Sequence, residues 1–197
     1  MKYPLPNQSH NGLAELPTVH RLVQGDARDL SFLPDGSIHL VVTSPPYWTL
    51  KRYNHSDGQL GHIDEYEQFL LELRKVWKEV FRVLVPGGRL VCVVGDVCLS
   101  RKENEGRHTV VPLHADICVI CRQLGFDNLN PIIWHKISNA SYEVSNGSKF
   151  LGKPYEPNAI IKNDIEFILM PRKPGGYRKP TEEQRKLPRI YLEHDPP

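Results

Sequence analysis

Two adjacent prolines cut short an apolar run, and no other feature constrains the fold of this chain as much. Ile38 to Val42 form a short apolar stretch suited to a buried strand, and Pro45-Pro46 follow almost at once. Each proline fixes φ and removes a backbone donor, so the chain leaves the sheet as a stiff loop. Ser44 and Pro45 each precede a proline and are pushed out of the helical region, which keeps the loop extended. Its tip presents the Ser44 hydroxyl, carbonyls with no competing local donor, and the rings of Tyr47 and Trp48. Such a set can hold a planar base by stacking while accepting hydrogen bonds from its amino group.

A chain of 197 residues suits one domain with a sizeable core. Its 40% hydrophobic and 24% charged residues are ordinary for a soluble globular protein. A net charge of +2 does not mark the whole chain as a nucleic-acid binder, so only a local patch could serve. No apolar run approaches the ~20 residues of a spanning helix, and Met1 to Leu16 lacks the apolar core of a signal peptide. A cytoplasmic protein with no membrane partner is expected. Cys118 and Cys121 have C-x-x-C spacing, which invites a zinc or redox reading. Their neighbours Ile117, Val119 and Ile120 point instead to packed thiols on a buried helix face, and no metal is expected.

The rest of the chain alternates strands and helices. Residues 1–18 read as an irregular arm, and His20 to Gln24 as a short strand ending in Gly25-Asp26. A carboxylate at a strand end in an α/β sheet faces the crevice where nucleotides bind; Asp26 can equally cap a short helix over Ala27 to Leu33. Thr49 to His62 is polar and aperiodic, with Lys51, Arg52 and His55 able to reach phosphate or simply to solvate a loop. Ile63 to Leu84 is the strongest helix, with Tyr66, Phe69, Leu70, Leu73, Val76, Trp77, Val80 and Leu84 at helical spacing and an Asp64/Glu67 capping box. Pro86-Gly87-Gly88 ends it, Arg89 to Gly95 is a buried strand, and Asp96 places a second carboxylate at the same sheet edge. A second helix opens at Pro112 and closes at Gly125. Asn130 to Lys136 and Ile165 to Met170 are two further strands, separated by a long connection over 137–164. From residue 172 the chain turns basic: Arg172, Lys173, Arg178 and Lys179 begin a run suited to neutralising phosphates, or to a solvated tail.

Thr43-Ser44-Pro45-Pro46-Tyr47-Trp48 resembles the catalytic motif of the amino-methyltransferases of DNA, (Ser/Asp/Asn)-Pro-Pro-(Tyr/Phe/Trp). The stretch from Arg82 to Leu90 is similar to the helix-turn-strand of many S-adenosylmethionine-dependent enzymes. The order of elements resembles the circularly permuted beta group, in which the catalytic half comes first. The resemblance implies an α/β, Rossmann-like class I methyltransferase sheet, with residues 19–171 as the catalytic half. It implies a restriction-modification type of DNA methyltransferase using S-adenosylmethionine on double-stranded DNA, with 137–164 as a possible target-recognition part. It assigns Ser44, Pro45, Pro46 and Tyr47 to catalysis and Asp26, Thr43 and Asp96 to the methyl donor. Asp26 is the expected acceptor for the donor's adenine amino group. Trp48, Lys51, Arg52, Arg172, Lys173, Arg178 and Lys179 are the expected DNA contacts.

The family's Phe-x-Gly-x-Gly motif, which cradles the methionine part of the donor, is absent from this chain, and Gly175-Gly176 does not replace it. The expectation is therefore an incomplete sheet, with residues 172–197 leading toward a cofactor half that belongs to a longer chain or a complementing subunit. In the family's sheet the missing strands lie between the His20 and Ile38 strands, which leaves the Ile38 strand with an unpaired side. The Ser-Pro-Pro-Tyr version points to the N4 of cytosine in a flipped-out base. The alternatives are adenine-N6 methylation, a catalytically incomplete DNA-binding or assembly half, and a protein-glutamine methyltransferase, which carries Asn before its prolines.

Overall fold

The computed structural model describes residues 19–51, 58–102, 104–136, 165–176 and 179–185. Strand β1 (Ile38–Thr43) leads through the proline loop and a single 3-10 turn (Leu60–His62) into helix α1 (Tyr66–Val83). Strand β2 (Leu84–Val94) returns parallel to β1. A two-stranded hairpin, β3 (Val97–Leu99) with β4 (Thr109–Val111), precedes helix α2 (Leu113–Gln123). Strands β5 (Ile132–His135) and β6 (Ile165–Leu169) complete the sheet, and a short helix α3 (Glu182–Arg185) follows. The sheet runs β1-β2-β6-β5, with β6 antiparallel to both of its neighbours.

The core lies on one face of this sheet. Leu84, Leu90, Cys92 and Val94 alternate inward from β2 and meet Phe69, Leu73, Val76, Trp77 and Val80 of α1 and Leu113, Ile117 and Cys121 of α2. Of the stripe read from the sequence, Phe69, Leu73, Val76, Trp77, Val80 and Leu84 are buried, whereas Tyr66 and Leu70 are partly exposed. Each large apolar side chain in that layer contributes roughly 1.5–3 kcal/mol by leaving water. Burial pushes the Cys92 thiol up to about 12 and raises those of Cys118 and Cys121 as well, so all three stay protonated at neutral pH. These cysteines are packing residues, and all four in the chain are free thiols.

The opposite face carries no helix among the described residues. Register puts Leu40 and Val42 of β1 in line with Val91 and Val93 of β2, Ile168 of β6, and Ile132 and Trp134 of β5. Leu40, Val42, Ile132 and Trp134 are each about half exposed or more. The expected buried strand at Ile38 to Val42 is thus a strand, but an edge strand covered on one face only. Its outer edge has no partner strand among the described residues.

Four local expectations are corrected. His20 to Gln24 forms no strand, and Val19 and Leu22 lie almost fully exposed, because no strand among the described residues offers them a hydrogen-bond ladder. Ala27 to Leu33 makes isolated turns rather than a helix, closed by Asp29 N–H to Asp26 O at 3.0 Å and Leu33 N–H to Leu30 O at 2.9 Å. Helix α1 starts after Glu65, which makes no side-chain cap, so the Asp64/Glu67 box does not form. The helix also ends earlier than expected, at Val83, and Leu84 already pairs with Ile38. Pro86-Gly87-Gly88 instead forms a bulge inside β2: the next pairs are Ile38 with Leu84 and Leu40 with Arg89, and Gly87 takes a left-handed φ of 78°.

The arm 1–18, the connection 137–164, Arg52, His55 and Arg178 lie outside the described residues. Among the described residues no helix is long and apolar enough to cross a membrane, and no cluster of three His, Cys, Asp or Glu could hold a metal ion.

Candidate active site

The site begins where β1 stops. Thr43 still pairs with Cys92, and Ser44 is the first residue beyond the sheet. Ser44 is exposed, and its Oγ lies 3.3 Å from the Tyr47 hydroxyl. The Tyr47 hydroxyl also donates to the Val93 carbonyl at 3.4 Å. Burial raises the Tyr47 phenol above its ordinary pKa, so it remains a donor at neutral pH. The Tyr47 ring lies against Gly95, where a Cβ would sit 3.3 Å from the ring, so only glycine leaves this close approach unhindered.

Trp48 closes the loop in a left-handed conformation, φ 47°, rare for a bulky residue. Its indole N–H donates to the Ile63 carbonyl at 2.9 Å, and its ring meets Tyr66 edge-on at 5.0 Å. Tyr66 in turn donates to Asp116 at 2.6 Å. The structure therefore gives Trp48 an anchoring place between the loop and α1.

An open cleft of about 780 Å³ lies beside this loop. It is lined by Ser44 and Pro46, by Gln24 to Arg28, and by Gly58 to Gly61 with Val76. Asp26 and Ser44 thus share one cleft, although 18 positions separate them in the chain. Arg28 holds Asp26: its Nη2 donates to Oδ2 at 2.6 Å, its Nε to both oxygens at 3.0 Å, and its backbone N–H to Oδ1 at 2.9 Å. Those bonds hold the Asp26 carboxyl below the usual carboxylate range, so it is an ionised acceptor at neutral pH. The sequence offered Arg28 no role, and a basic residue two positions after the key carboxylate was the only signal.

Asp96 occupies the sheet edge as expected, but it is engaged. It accepts from the His114 backbone N–H at 3.2 Å and lies 2.6 Å from the His114 Nδ1. The imidazole stacks on Phe167 with centroids 3.7 Å apart. Glu166 pairs with Lys136 near Tyr47, and Lys136 also lies over the Trp134 ring. None of His114, Glu166 or Lys136 was singled out by the sequence, because their meeting depends on sheet register.

The basic residues divide. Lys51 and Lys179 are exposed. Arg172 donates to Asp127 at 2.8 Å and forms bridges with Arg89 and Asp127. Lys173 Nζ donates to the Leu84 carbonyl at 2.8 Å and lies over the Phe81 ring. Both brace the start of β2, the end of the strand away from Ser44.

The DNA methylase family model for N6 and N4 methyltransferases matches residues 38–194, and the chain belongs to this family. The type II methyltransferase M.MthZI of Methanothermobacter thermautotrophicus is 35% identical over 88% of this chain and 50% of its own length. TTHA0409, a candidate DNA modification methylase of Thermus thermophilus solved with S-adenosyl-L-methionine, is 61% identical, with a TM-score of 0.66. That match covers 86% of this chain and 61% of the other. The cytosine-N4-specific PvuII DNA methyltransferase shares the fold, with a TM-score of 0.52 at 17% identity over 76% of this chain and 49% of that one. The chain spans between half and two thirds of the length of the first two.

The residues present fit one end of S-adenosylmethionine. An ionised Asp26 beside the open backbone of Gly25 and Ala27 suits an adenine edge, and the cleft runs from there to Ser44. The sequence holds no Phe-x-Gly-x-Gly to cradle the methionine end.

Proposed function

We propose that this chain carries the catalytic half of a DNA methyltransferase that methylates the exocyclic N4 of cytosine in a flipped-out base. The observation that carries the reading is the shared cleft, which an exposed Ser44 and an ionised Asp26 both line.

The amino nitrogen of cytosine is a poor nucleophile because its lone pair is delocalised into the ring. Ser44 Oγ and the Pro45 carbonyl accept its two N–H bonds and draw the nitrogen toward tetrahedral geometry. The local hydrogen bonds suit that task. With the Ser44 hydroxyl donating to Tyr47 and the Tyr47 hydroxyl donating to Val93, the Ser44 lone pairs are left for the amine. S-adenosylmethionine, when bound, supplies an electrophilic methyl group on a sulfonium. The rate gain from this chain comes from orientation and electrostatics. Ser44 is uncharged and positions the amine without deprotonating it, and the proton leaves to water. The Tyr47 ring is the stacking surface for the extruded base. Thr43 and Asp96 support the donor side of the sheet edge, and Lys51, Lys179 and, outside the described residues, Arg52 and Arg178 are the candidate phosphate contacts.

The apolar face and the edge of β1, which no strand or helix among the described residues covers, are covered in the working enzyme by further polypeptide, in the same chain or a complementing subunit. The test of the activity is incubation of the intact protein with duplex DNA and S-adenosylmethionine, followed by nucleoside analysis. N4-methylcytosine is the expected product; N6-methyladenine alone would defeat the cytosine reading, and no methylated nucleoside would defeat the catalytic one.

A further inference from the structure

Asp26 sits on a stretch with no helix or strand of its own, yet it is not loosely held. Residues 26–37 hang on side chains and terminal carbonyls of α1. The Leu30 N–H donates to Glu79 at 3.1 Å, and Arg82 donates to the carbonyls of Leu30 and Leu33 at 2.9 and 3.0 Å. The Gly36 and Ser37 N–H groups reach the carbonyls of Arg82 and Val83 at 3.1 and 2.9 Å. Nearest the cleft, Arg28 Nη1 donates to Glu72 Oε2 at 2.8 Å. Glu72, Glu79 and Arg82 recur at seven and three residues, which places them on one stripe of the helix.

Arg28 is the hinge of this arrangement. Its Nη1 goes to Glu72, its Nε and Nη2 go to Asp26, and Nη2 also reaches the Gly58 carbonyl at 3.3 Å. An exposed ion pair of this kind contributes little. Here, however, Arg28 is only 24% exposed, and Glu72 is buried on the helix that forms the core, where Lys75 and Gln68 also donate to it at 2.6 and 3.2 Å. A planar guanidinium fixed on one side sets the direction of a carboxylate on the other, which an ammonium cannot do. The Asp26 oxygens keep further lone pairs for a donor in the cleft.

We propose that Arg28, anchored on Glu72, is a positioning residue that sets the angle of the Asp26 carboxylate and so the affinity for the adenine end of the methyl donor. The proposal rests on the reading of Asp26 as the acceptor for that end. Helix α1 thereby couples the core to the donor site through Glu72.

The test is calorimetric titration of the intact protein with S-adenosylhomocysteine, which keeps the adenosine and lacks the methyl group. Glu72→Gln, Arg28→Ala and Arg28→Lys are each expected to weaken binding about tenfold, the scale of one compromised charge-assisted hydrogen bond. In turnover the same variants raise KM for the donor while kcat at saturating donor is retained, which a general loosening of the fold would not do. Asp26→Asn is expected to weaken binding at least as much, and adding Arg28→Ala to it should cost nothing more. Full affinity in Glu72→Gln and Arg28→Ala, with Asp26→Asn weakened, overturns the positioning role and leaves the Asp26 reading intact. Full affinity in Asp26→Asn overturns both. Glu72→Gln is nearly isosteric, and its thermal midpoint reports whether the fold is preserved.

Discussion

The Tyr47 hydroxyl lies 3.3 Å from Ser44 Oγ and 3.4 Å from the Val93 carbonyl, so one phenol ties the reactive loop to the strand beside it. Ser44 is exposed, so Ser44→Ala should leave the thermal midpoint unchanged while lowering kcat by about 10²–10³, as loss of one preorganised polar group does. Tyr47→Phe keeps the ring and removes the tie, and a smaller loss in kcat is expected. Single-turnover rates with circular dichroism melts check both; a Ser44→Ala enzyme of full rate would remove Ser44 from the chemistry.

Gly95 is the floor under that ring. An added Cβ would lie 3.3 Å from Tyr47 and 3.4 Å from Glu166 Cγ, so Gly95→Ala must move one of them by a few tenths of an ångström. Activity should fall several-fold with a stability change below about 1 kcal/mol, since the neighbours can yield. Parallel urea denaturation and turnover measurements separate the two effects.

Trp48 holds a strained backbone through its side chain. Trp48→Phe keeps an aromatic edge for Tyr66 but loses the bond to the Ile63 carbonyl, and a loss of about 1 kcal/mol is expected. DNA affinity, read by fluorescence anisotropy below the melting range, should not change. A large drop in DNA affinity at unchanged stability would identify Trp48 as a DNA contact.

Gly175 answers to packing rather than to a ligand. Its φ is +140°, and an added Cβ would lie 2.4 Å from the Pro86 Cβ. Gly175→Ala should destabilise by about 1–3 kcal/mol, the range for overpacking, with strain from the positive φ in addition. Gly176→Ala meets nothing within 4 Å and should be nearly silent. Equal urea midpoints for the two variants would contradict the contact.

Acid should loosen the donor side first. Asp26, Glu72 and Glu79 are each held below their ordinary values of 3.8, 4.5 and 4.5, mainly by hydrogen bonds from Arg28, Lys75 and Arg82. Depressed folded-state values mean that the stabilisation is present above the unfolded values and is lost as pH falls through the folded ones. Stability should thus be level from neutrality to about pH 5 and decline below the ordinary carboxylate range. Urea midpoints from pH 7 to pH 3 test this, and Glu72→Gln should flatten the decline. A midpoint that rises on acidification would contradict the sign.

What the sequence determined by itself is local. The apolar run cut by Pro45-Pro46, the helical stripe of α1 and the second helix bounded by Pro112 and Gly125 all follow from sterics and periodicity within a few residues. The proline motif also carried the family. Tertiary structure decided which groups meet. Arg28 finds Glu72 across 44 positions, Trp48 is taken by Ile63 and Tyr66, and Lys173 is drawn to the end of α1. His20 to Gln24 has strand-like composition but pairs with no strand among the described residues. A strand and an ion pair each need a partner supplied from elsewhere in the fold, whereas a turn or an amphipathic helix encodes its own geometry.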